Sequence, residues 1–488
     1  MHCLILGNAV ERSHGGHRIA SHLRYLGWDC EVLDYCHLLD KETMIEFLKQ
    51  RINKKTKFIG FSHIFLWWRK IYQDVISWVK HNHPDIMILS GAQNFYMNTS
   101  NPLVDYNFAG YSEWQLEKFL KWKFSNGHPV ELVHGNVIDC NNSNGASPMR
   151  DPFIKYEKRD YIMPWEMVPI EFSRGCKFAC AFCDLPFLGV KGDYTRDVKS
   201  VEDYLKYNYD NFGVHRYLTS DETFNDATEK IAKYADLVQK LDFTPYFVGY
   251  IRLDLLIARP KDKELLEAMN FVGQFYGIES FNHDTRKAIK KGMHPDKIKQ
   301  GLLDIQDFYK GKIYRGTVSL IAGLPHETLQ TLYETKQWIL KNWIPQNIYI
   351  NGYLINKMQD SIKGSAIDND LAKYGYEDTG QISPKKNLFT KEHNDAVETG
   401  QAYQNIVWKN KHMTYNQANN FAVRFHQSAV AGGMKIGAWL SPSAVVTNKH
   451  IKDLFDLPAG TSSIESWYST IKDEFIPQYI EKKLGNSF

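Results

Sequence analysis

The sequence predicts an α/β protein made of an N-terminal Rossmann-like open sheet, a partial (β/α)6 barrel and a mostly helical C-terminal region. Two observations carry this prediction. Short apolar strands alternate with helical segments in two separate series, and the strand signal fades beyond about residue 356. A chain of 488 residues also exceeds the usual span of one hydrophobic core, so we expect several domains.

The first series occupies about the first 125 residues. Its predicted strands are short and apolar, at 3–6, 30–33, 58–62, 86–89 and 106–109. The stretch 139–152 is polar, rich in Asn, Ser and Gly, and has no periodicity, which is typical of a linker. We therefore predict a Rossmann-like domain over 1–135 and a linker over 136–160.

The second series begins near residue 168. Six strands separated by helices such as 262–269 are predicted, at 168–172, 217–220, 246–251, 274–278, 317–321 and 348–353. A parallel sheet with helical crossovers curls into a partial barrel, here over 161–355, with its active residues at the strand carboxyl ends. Residues 356–488 are predicted to form a helical domain with an amphipathic helix at 417–430.

Composition narrows the class of protein. The 59 basic and 56 acidic residues nearly cancel, so no strong nucleic-acid or membrane field is expected. No apolar run reaches the roughly 18 residues of a membrane span, and the chain starts without a signal-peptide pattern. These features favour a cytoplasmic protein.

The cysteines are unevenly placed, with all seven in the first 183 residues. Cys176, Cys180 and Cys183 fall within eight residues just after a predicted strand. Three thiolates at this spacing can hold three corners of an iron–sulfur cube and leave one iron open, whereas a closed cluster or a structural zinc site would need four ligands. A zinc site or buried free thiols are the alternatives, and Cys30 and Cys36 are expected to be small core residues.

The segment around these cysteines resembles the signature of the radical S-adenosylmethionine (SAM) superfamily, Cys-x3-Cys-x2-Cys with an aromatic residue, here Phe182, before the last cysteine. The preceding Arg174-Gly175 is similar to the branch with an N-terminal cobalamin-binding-like domain. The resemblance spans about residues 165–330. It implies a [4Fe–4S] cluster on the three cysteines, reductive cleavage of SAM to a 5'-deoxyadenosyl radical, and an electron donor such as flavodoxin or ferredoxin.

Further motifs resemble the SAM-binding segments of that branch. Ser220, Asp221 and Glu222 follow the second barrel strand, where the family meets the methionyl amine, although a helix N-cap explains them structurally. Arg252 ends the third strand and suits the methionyl carboxylate. A salt bridge between Arg252 and Asp254 is the equal alternative.

The fourth and fifth barrel strands end in two more such segments. Glu279 and Ser280, followed by Lys290, Lys291 and Gly292, resemble the Gly-Ile-Glu-Ser strand end with its trailing Lys-Gly that approaches the ribose and methionyl parts of SAM. Gly323 lies in a segment where the family brings its backbone close to the adenine. Taken alone, the Gly-Leu-Pro that contains Gly323 indicates only a turn.

The first domain resembles a cobalamin-binding domain through its strand order and through the segment 105–113, similar to an Asp-x4-Gly-x-x-Glu ending. The Asp-x-His-x-x-Gly segment that supplies a cobalt ligand in some cobalamin proteins is absent. Trp67 and Trp68 would crowd a corrin, and His14 and His17 are expected to be solvated loop residues. Cobalamin binding is therefore left open.

These observations support an enzyme that modifies an unactivated carbon by radical SAM chemistry, with cobalamin-dependent methyl transfer as one form of it. The first alternative is hydrogen abstraction or rearrangement without cobalamin. The second is a non-catalytic, metal-stabilised module that binds nucleic acid through Trp408, Lys409, Lys411 and Tyr415, although such residues more often form a solvated helical face. The last 130 residues are expected to wall the barrel mouth.

Overall fold

Two six-stranded parallel sheets and a small antiparallel sheet form the framework of the computed structural model. The structure describes residues 1–8, 12–63, 70–92, 103–133, 135–140, 153–164, 166–185, 194–343, 347–356, 364–383, 405–434 and 475–485. Within these residues no helix is long and apolar enough to cross a membrane.

The first sheet has the strand order β2-β1-β3-β4-β5-β6, and all its strands are parallel. The strands are β1 (His2–Asn8), β2 (Asp29–Leu33), β3 (Thr56–His63), β4 (Met87–Ala92), β5 (Tyr106–Gly110) and β6 (Val137–Cys140). The helices are α1 (His14–Tyr25), α2 (Lys41–Arg51), α3 (Lys70–Asn82) and α4 (Glu113–Phe124). The order reverses between β1 and β3, which creates the crevice where open α/β sheets bind ligands.

Alternation along the strands places apolar residues on both faces of this sheet. Leu4 and Leu6 of β1 pack with α2 and α3, whereas Cys3 and Ile5 pack with α1 and α4. This two-sided burial confirms the Rossmann-like prediction and explains why the strands are almost continuously apolar.

The predicted domain boundary at residue 135 falls short of β6. Val137, Ile138 and Cys140 of this strand are buried, so the first sheet continues into the segment assigned to the linker. Further along that segment, Ile154 and Tyr156 are buried in the core of the second sheet. The polar composition of 139–152 extended the linker prediction over the apolar residues on both sides of it. Residues 141–152 lie outside the described part of the chain.

The second sheet has the order β14-β13-β12-β11-β10-β7 and is parallel throughout. Its strands are β7 (Met167–Ile170), β10 (Arg216–Thr219), β11 (Tyr246–Ile251), β12 (Phe271–Glu279), β13 (Arg315–Ala322) and β14 (Asn347–Gly352), and a short pair, β8 (Ser173–Arg174) and β9 (Tyr194–Thr195), follows β7. The connecting helices are α5 (Val198–Phe212), α6 (Thr228–Gln239), α7 (Leu253–Ala258), α8 (Asp262–Ala268), α9 (His283–Ala288), α10 (Pro295–Tyr309) and α11 (Leu329–Asn342). Each strand pairs with the next barrel strand in sequence, as predicted for a partial barrel.

The two faces of this second sheet differ in character. Outward residues such as Val168, Phe247 and Val318 join a large core with the helices. At the inner face, Met167, Val248 and Val272 form a small apolar cluster near the amino ends of the strands. This cluster closes the lower part of the barrel and leaves the carboxyl ends for a ligand.

The C-terminal part contains helices α12 (Ala366–Asn369), α13 (Tyr415–Ala431) and α14 (Ile476–Gly485), and α13 confirms the predicted amphipathic helix. It also contains an antiparallel sheet, β15-β17-β16, that was not predicted, with strands β15 (Ile355–Asn356), β16 (Tyr376–Ser383) and β17 (Asn405–Asn410). The described residues of β16 beyond Tyr376 are exposed, so this strand lacks the apolar alternation that reveals a strand in sequence.

Helix α14 packs on α2 and on the core of the first sheet. Its Lys483 is fully buried and donates to the carboxylate of Glu31 at 3.1 Å and to the carbonyl of Val32 at 2.7 Å. The Tyr479 hydroxyl accepts the backbone N–H of Asp34 at 2.9 Å. The predicted single C-terminal domain is therefore divided between two layers of the molecule.

The two aromatic residues of the nucleic-acid-binding surface in the alternative hypothesis are buried. Trp408 is fully buried in β17, and its indole N–H donates to the carbonyl of Tyr353 at 3.0 Å. Tyr415 is also buried, in the same core. Both aromatic rings pack inside the protein, so neither is available to stack on bases, and they do not form a solvated helical face.

Candidate active site

The three clustered cysteines lie on one loop after β7 and β8, at the carboxyl end of the second sheet. All three thiols are free and partly exposed, whereas Cys3, Cys30, Cys36 and Cys140 are free and buried in the first sheet and its surroundings. The loop tightens at its end, where the N–H of Cys183 donates to the carbonyl of Cys180 at 3.1 Å. The prediction that Cys30 and Cys36 are core residues is confirmed.

These thiols suit an iron–sulfur cluster. In the described part of the chain no group of three or more His, Cys, Asp or Glu side chains could hold a single metal ion. An iron–sulfur cube differs from such a site because each thiolate binds its own iron. Burial raises the pKa of the Cys183 thiol to about 12. A cationic metal centre reverses this effect because it stabilises the thiolate.

Phe182 lies between the second and third of these cysteines. Its ring is half-buried and packs against the main core of the barrel domain. The neighbouring Ala181 donates its N–H to the carbonyl of Ile289 at 3.1 Å and accepts the N–H of Ile367 at 3.0 Å. The cysteine loop is therefore fixed at this point by segments that follow β12 and β14.

The acidic motif after β10 holds the start of the cysteine loop. The Asp221 carboxylate accepts the Phe172 N–H at 3.0 Å and the Ser173 hydroxyl. The Glu222 carboxylate accepts the Gly175 N–H at 3.1 Å, directly before the first cysteine. Both carboxyl groups are thus engaged with the loop backbone, and burial raises the pKa of Asp221 to about 7.

Two neighbours complete this support. The Thr223 hydroxyl lies 3.4 Å from the Cys176 sulfur. The Ser220 hydroxyl donates to the carbonyl of Ile170 at 3.3 Å, so it joins β10 to the end of β7. Thr223 belongs to the same sequence motif as Ser220, but the sequence analysis gave it no role, and its contact with Cys176 is visible only in the structure.

Arg252 adopts the ion pair that was the alternative to a ligand contact. Its guanidinium binds Asp254 through two hydrogen bonds of 3.1 and 2.5 Å. It also stacks 3.6 Å from the ring centre of Phe178 and places Nη1 3.7 Å from the Cys180 sulfur. Arg252 therefore borders the cysteine loop, and Asp254 satisfies part of its hydrogen-bonding capacity.

Glu279 stands in an unusual backbone conformation at the end of β12. Its φ of +65° lies in the left-handed region, and the pairing with β13 shifts register between Gly277 and Glu279. Such a bulge re-aims a side chain, and non-glycine residues with positive φ concentrate at functional sites. The carboxylate lies 3.3 Å from Lys291 Nζ, which also donates to the carbonyl of Gly277 at 2.7 Å.

Ser280 and Gly323 meet at a buried carboxylate that sequence reasoning did not assign. Glu327 accepts the Ser280 hydroxyl at 2.6 Å through one oxygen and the Gly323 N–H at 3.0 Å through the other. Burial raises the pKa of Glu327 to about 7. A sequence signal for Glu327 was its place in the same Gly-Leu-Pro-His-Glu segment as Gly323.

The glycine at position 323 has a second explanation besides the approach of a ligand. Its φ is +98°, and a Cβ would lie 2.7 Å from the Trp408 ring and 2.9 Å from the Cβ of Ala418. The C-terminal part therefore packs on this turn so closely that only glycine fits. The Tyr376 hydroxyl donates to the Gly323 carbonyl at 2.6 Å and holds the same contact.

Above the apolar cluster, the inner face of the barrel becomes aromatic and polar. The rings of Tyr250, Phe275 and Tyr349 contact one another across β11, β12 and β14, with centroid distances of 5.0 and 6.1 Å. Burial, together with the nearby Glu279 carboxylate, raises the pKa of Tyr349 to about 12. This layer lies between the apolar base and the cysteine loop, where a ligand with an aromatic base would find stacking partners.

The carboxyl end of the first sheet faces the carboxyl end of the second. Glu113, three residues after β5, binds Arg18 at 2.8 Å and Arg174 at 2.5 Å, and Arg174 lies two residues before Cys176. The Tyr111 hydroxyl donates to Glu222, so the same carboxylate joins β5 of the first sheet to the cysteine loop. Groups held at the two sheet ends would thus be neighbours.

The crevice at the reversal of the first sheet contains small and polar residues. The Ser13 hydroxyl caps α1 and lies 3.1 Å from the Ser62 hydroxyl at the end of β3. A Cβ added to Gly91 at the end of β4 would meet open space. The end of β4 is therefore open at Gly91, whereas Trp67, Trp68 and the side chain of Ala92 lie outside the described residues.

The expectation that His14 and His17 are solvated loop residues is wrong. Both residues belong to α1, and His17 is fully buried with Nε2 2.7 Å from the Asp34 carboxylate. Arg12 binds the same carboxylate at 3.1 Å. Burial lowers the pKa of His14 to about 4, so its imidazole is neutral at pH 7. Neighbouring glycines suggested a loop, but the Ser13 cap starts a helix instead.

Comparison with known proteins assigns the barrel. The sequence profile of the Radical SAM superfamily matches residues 170–339, which run from the end of β7 into α11 and include the three clustered cysteines. This match, over about a third of the chain, identifies the central barrel as a radical SAM domain. This family implies a [4Fe–4S] cluster and SAM as cofactors.

A curated relative is Bacteriochlorophyllide d C-8(2)-methyltransferase of Chlorobaculum tepidum, 27% identical over 204 residues. The matched region is 40% of this chain and 44% of the relative, so it spans less than half of that protein.

Solved structures of cobalamin-dependent radical SAM enzymes share the fold. TsrM of Kitasatospora setae, with cobalamin and a [4Fe–4S] cluster bound, gives a TM-score of 0.65 at 12% identity over 98% of this chain and 99% of that chain. TsrM with tryptophan and a SAM analogue gives 0.63 at 14% identity over 88% of both chains. OxsB gives 0.52 at 17% identity over 69% of this chain and 51% of that chain. The predicted succession of Rossmann-like sheet and partial barrel is thereby confirmed.

Proposed function

We propose that this protein is a cobalamin-dependent radical SAM methyltransferase. The observation that carries the proposal is the meeting of the two sheet ends beside the cysteine loop, through Glu113 with Arg174 and Tyr111 with Glu222. A methyl carrier in the first domain would then lie next to SAM in the second. A cobalamin-independent hydrogen abstraction does not need this arrangement, because it uses the barrel alone.

The cofactors divide the chemistry between them. A bound [4Fe–4S] cluster supplies the electron for reductive cleavage of SAM, and a bound cobalamin supplies a carrier for the methyl group. In this proposal Cys176, Cys180 and Cys183 hold the cluster. The crevice between β1 and β3 and the open space at Gly91 receive the corrin.

The remaining site residues are proposed to bind and orient SAM. Glu279, turned inward by its bulge, accepts hydrogen bonds from the ribose hydroxyls, and the adjacent Ser280 backbone supports the methionyl part. Arg252 directs its guanidinium towards the methionyl carboxylate from the edge of the cysteine loop. Phe182 excludes water beside the cluster, and the Gly323 backbone approaches the adenine.

The acidic motif is proposed to act through the cysteine loop. Asp221 and Glu222 hold the backbone of residues 172–175, so they fix where the first cysteine stands. In this proposal the backbone carbonyl of Ser220 accepts a hydrogen bond from the methionyl amine. We also propose three units, at 1–140, 153–355 and 364–434, with α14 attached to the first.

Two further proposals concern the electron donor and the location of the protein in the cell. A protein carrying an oxidised cluster requires an external one-electron donor, and flavodoxin or ferredoxin has the required potential range. We propose a cytoplasmic location, because none of the seven cysteines is paired in a disulfide, as is usual for proteins of a reducing compartment. We propose no substrate, because the relatives differ in theirs: one is named as a bacteriochlorophyllide methyltransferase, and TsrM is described with tryptophan as substrate.

The test is product analysis on protein reconstituted without oxygen. The protein is loaded with iron, sulfide and hydroxocobalamin, reduced, and given SAM with a deuterated methyl group. We expect one cobalamin per chain, no imidazole nitrogen splitting in its electron paramagnetic resonance spectrum, and label on cobalamin. Formation of 5'-deoxyadenosine with no retention of cobalamin would instead establish the cobalamin-independent reaction.

A further inference from the structure

A cavity of about 500 Å³ opens beside the cysteine loop. It lies over the first turns of α7 and α10, which pack against each other, and its lining is formed by Phe178, Arg252, Asp254, Lys290, Lys291, Gly292, Met293, His294 and Lys297. The aromatic inner layer of the barrel contributes no residue to this lining. The cavity therefore lies beside the aromatic inner layer, and it borders the proposed SAM site, with which it shares Arg252.

The cavity carries a strong excess of positive charge. Four of its nine lining residues are Lys or Arg, and Lys290 and Lys297 are exposed at its rim. Asp254 is the acidic residue of the lining, and it is paired with Arg252. The 15-residue helix α10 begins here, so its N-terminal dipole adds to the positive potential.

The cavity is also in direct contact with the cysteine loop. Phe178 lies between the first two cysteines, and its ring stacks on Arg252 at 3.6 Å. The same guanidinium reaches within 3.7 Å of the Cys180 sulfur. A redox group seated over this cavity would thus be separated from the cysteine loop by one side-chain layer.

We propose that this basic cavity is the docking surface of an acidic one-electron carrier protein. The inference rests on the proposed function, which requires that an electron reach the cluster from outside. The carrier loses one electron, the oxidised cluster gains it, and no bond is made or broken. Complementary charge selects the carrier and steers its approach, and the exposed lysines at the rim supply that charge.

Charge reversal tests the surface. The variant Lys290→Glu/Lys297→Glu changes the charge of the rim by four units. The matched control Lys310→Glu/Lys341→Glu changes net charge equally. Its Lys310 lies beyond the far end of α10, about 20 Å from Lys297 by helix geometry. Both variants are compared as reconstituted protein.

Two measurements are made on each protein with acidic flavodoxin as the probe. Binding of oxidised flavodoxin, by calorimetry at low salt, is expected to weaken about tenfold in the rim variant alone, and the difference should shrink in about 0.5 M salt. Cluster reduction by reduced flavodoxin should slow in parallel, while reduction by dithionite stays as in the control.

The outcomes separate the two proposals. Equal flavodoxin binding by the rim variant and its control, with cluster assembly and dithionite-driven SAM cleavage intact, overturns the docking surface alone. Failure of the unaltered protein to assemble any cluster overturns the proposed function and the docking surface together, because there is then nothing to reduce.

Discussion

Substituting Glu113 by Gln should weaken the contact between the two sheets, because this carboxylate balances buried cations. It binds Arg18 and Arg174, and a second buried acid, Glu171, binds Arg174 and Arg196. Three arginines thus share two carboxylates. The substitution removes one of the two buried negative charges that offset these three arginines.

The expected cost follows from that imbalance. Breaking a buried ion pair by removing one partner typically costs about 3–5 kcal/mol. The Gln amide oxygen still accepts one hydrogen bond from an arginine, so we expect the lower end, about 3 kcal/mol, which is roughly a 150-fold change in an equilibrium constant. The matched control is Glu117→Gln on the same helix, where an exposed pair with Lys121 contributes less than about 1 kcal/mol.

Urea denaturation at pH 7, followed by tryptophan fluorescence, measures the difference between Glu113→Gln and Glu117→Gln. The arginines hold the pKa of Glu113 far below its usual range. Its stabilisation is therefore complete above the unfolded pKa of about 4.3 and is lost as the pH falls towards the folded pKa. The difference in the free energy of unfolding between Glu113→Gln and the wild type should narrow below pH 4. Equal urea midpoints for the two variants at pH 7 would refute the reasoning.

Three further substitutions test the site. Glu279→Ala should weaken SAM binding about tenfold in titrations while cluster content stays constant, since a charged hydrogen bond contributes about 1.5 kcal/mol or more; unchanged affinity would return Glu279 to a structural role. Gly323→Ala should destabilise the protein by about 3 kcal/mol through positive φ and the clash with Trp408, whereas Gly311→Ala, with φ +78° and open space, should lose only about 1 kcal/mol, and equal thermal midpoints would disprove the packing argument. Glu327→Gln should flatten the decline of wild-type stability as pH rises from about 4 to 7, because the raised pKa of that buried carboxyl favours its protonated form; parallel pH profiles would count against this assignment.

The strands of both parallel sheets were predictable because their apolar runs are long and buried. All eleven predicted strands coincide with observed ones, and the predicted segment 246–251 matches β11 at both ends. The antiparallel sheet was not predictable, because β16 has exposed polar residues and pairs with β17, which is distant in sequence. Local pattern alone does not reveal such pairing.

The cysteine triad was predictable from spacing, but the ionic contact between the sheets was not. Glu113 and Arg174 are 61 residues apart and look like ordinary surface charges in sequence. The packing role of Gly323 was hidden for a similar reason, because its partner Trp408 lies 85 positions later. Trp408 itself lies next to Lys409 on a short strand, and only the fold shows that it is buried.

The central claim is that Cys176, Cys180 and Cys183 hold a cluster with one iron open to SAM. Reconstituted, reduced protein is examined by electron paramagnetic resonance before and after SAM is added, beside Cys180→Ala and the buried-cysteine control Cys36→Ala. We predict a [4Fe–4S] signal that SAM alters in the wild type and in Cys36→Ala, and no such signal in Cys180→Ala. A normal, SAM-responsive cluster in Cys180→Ala would contradict the account.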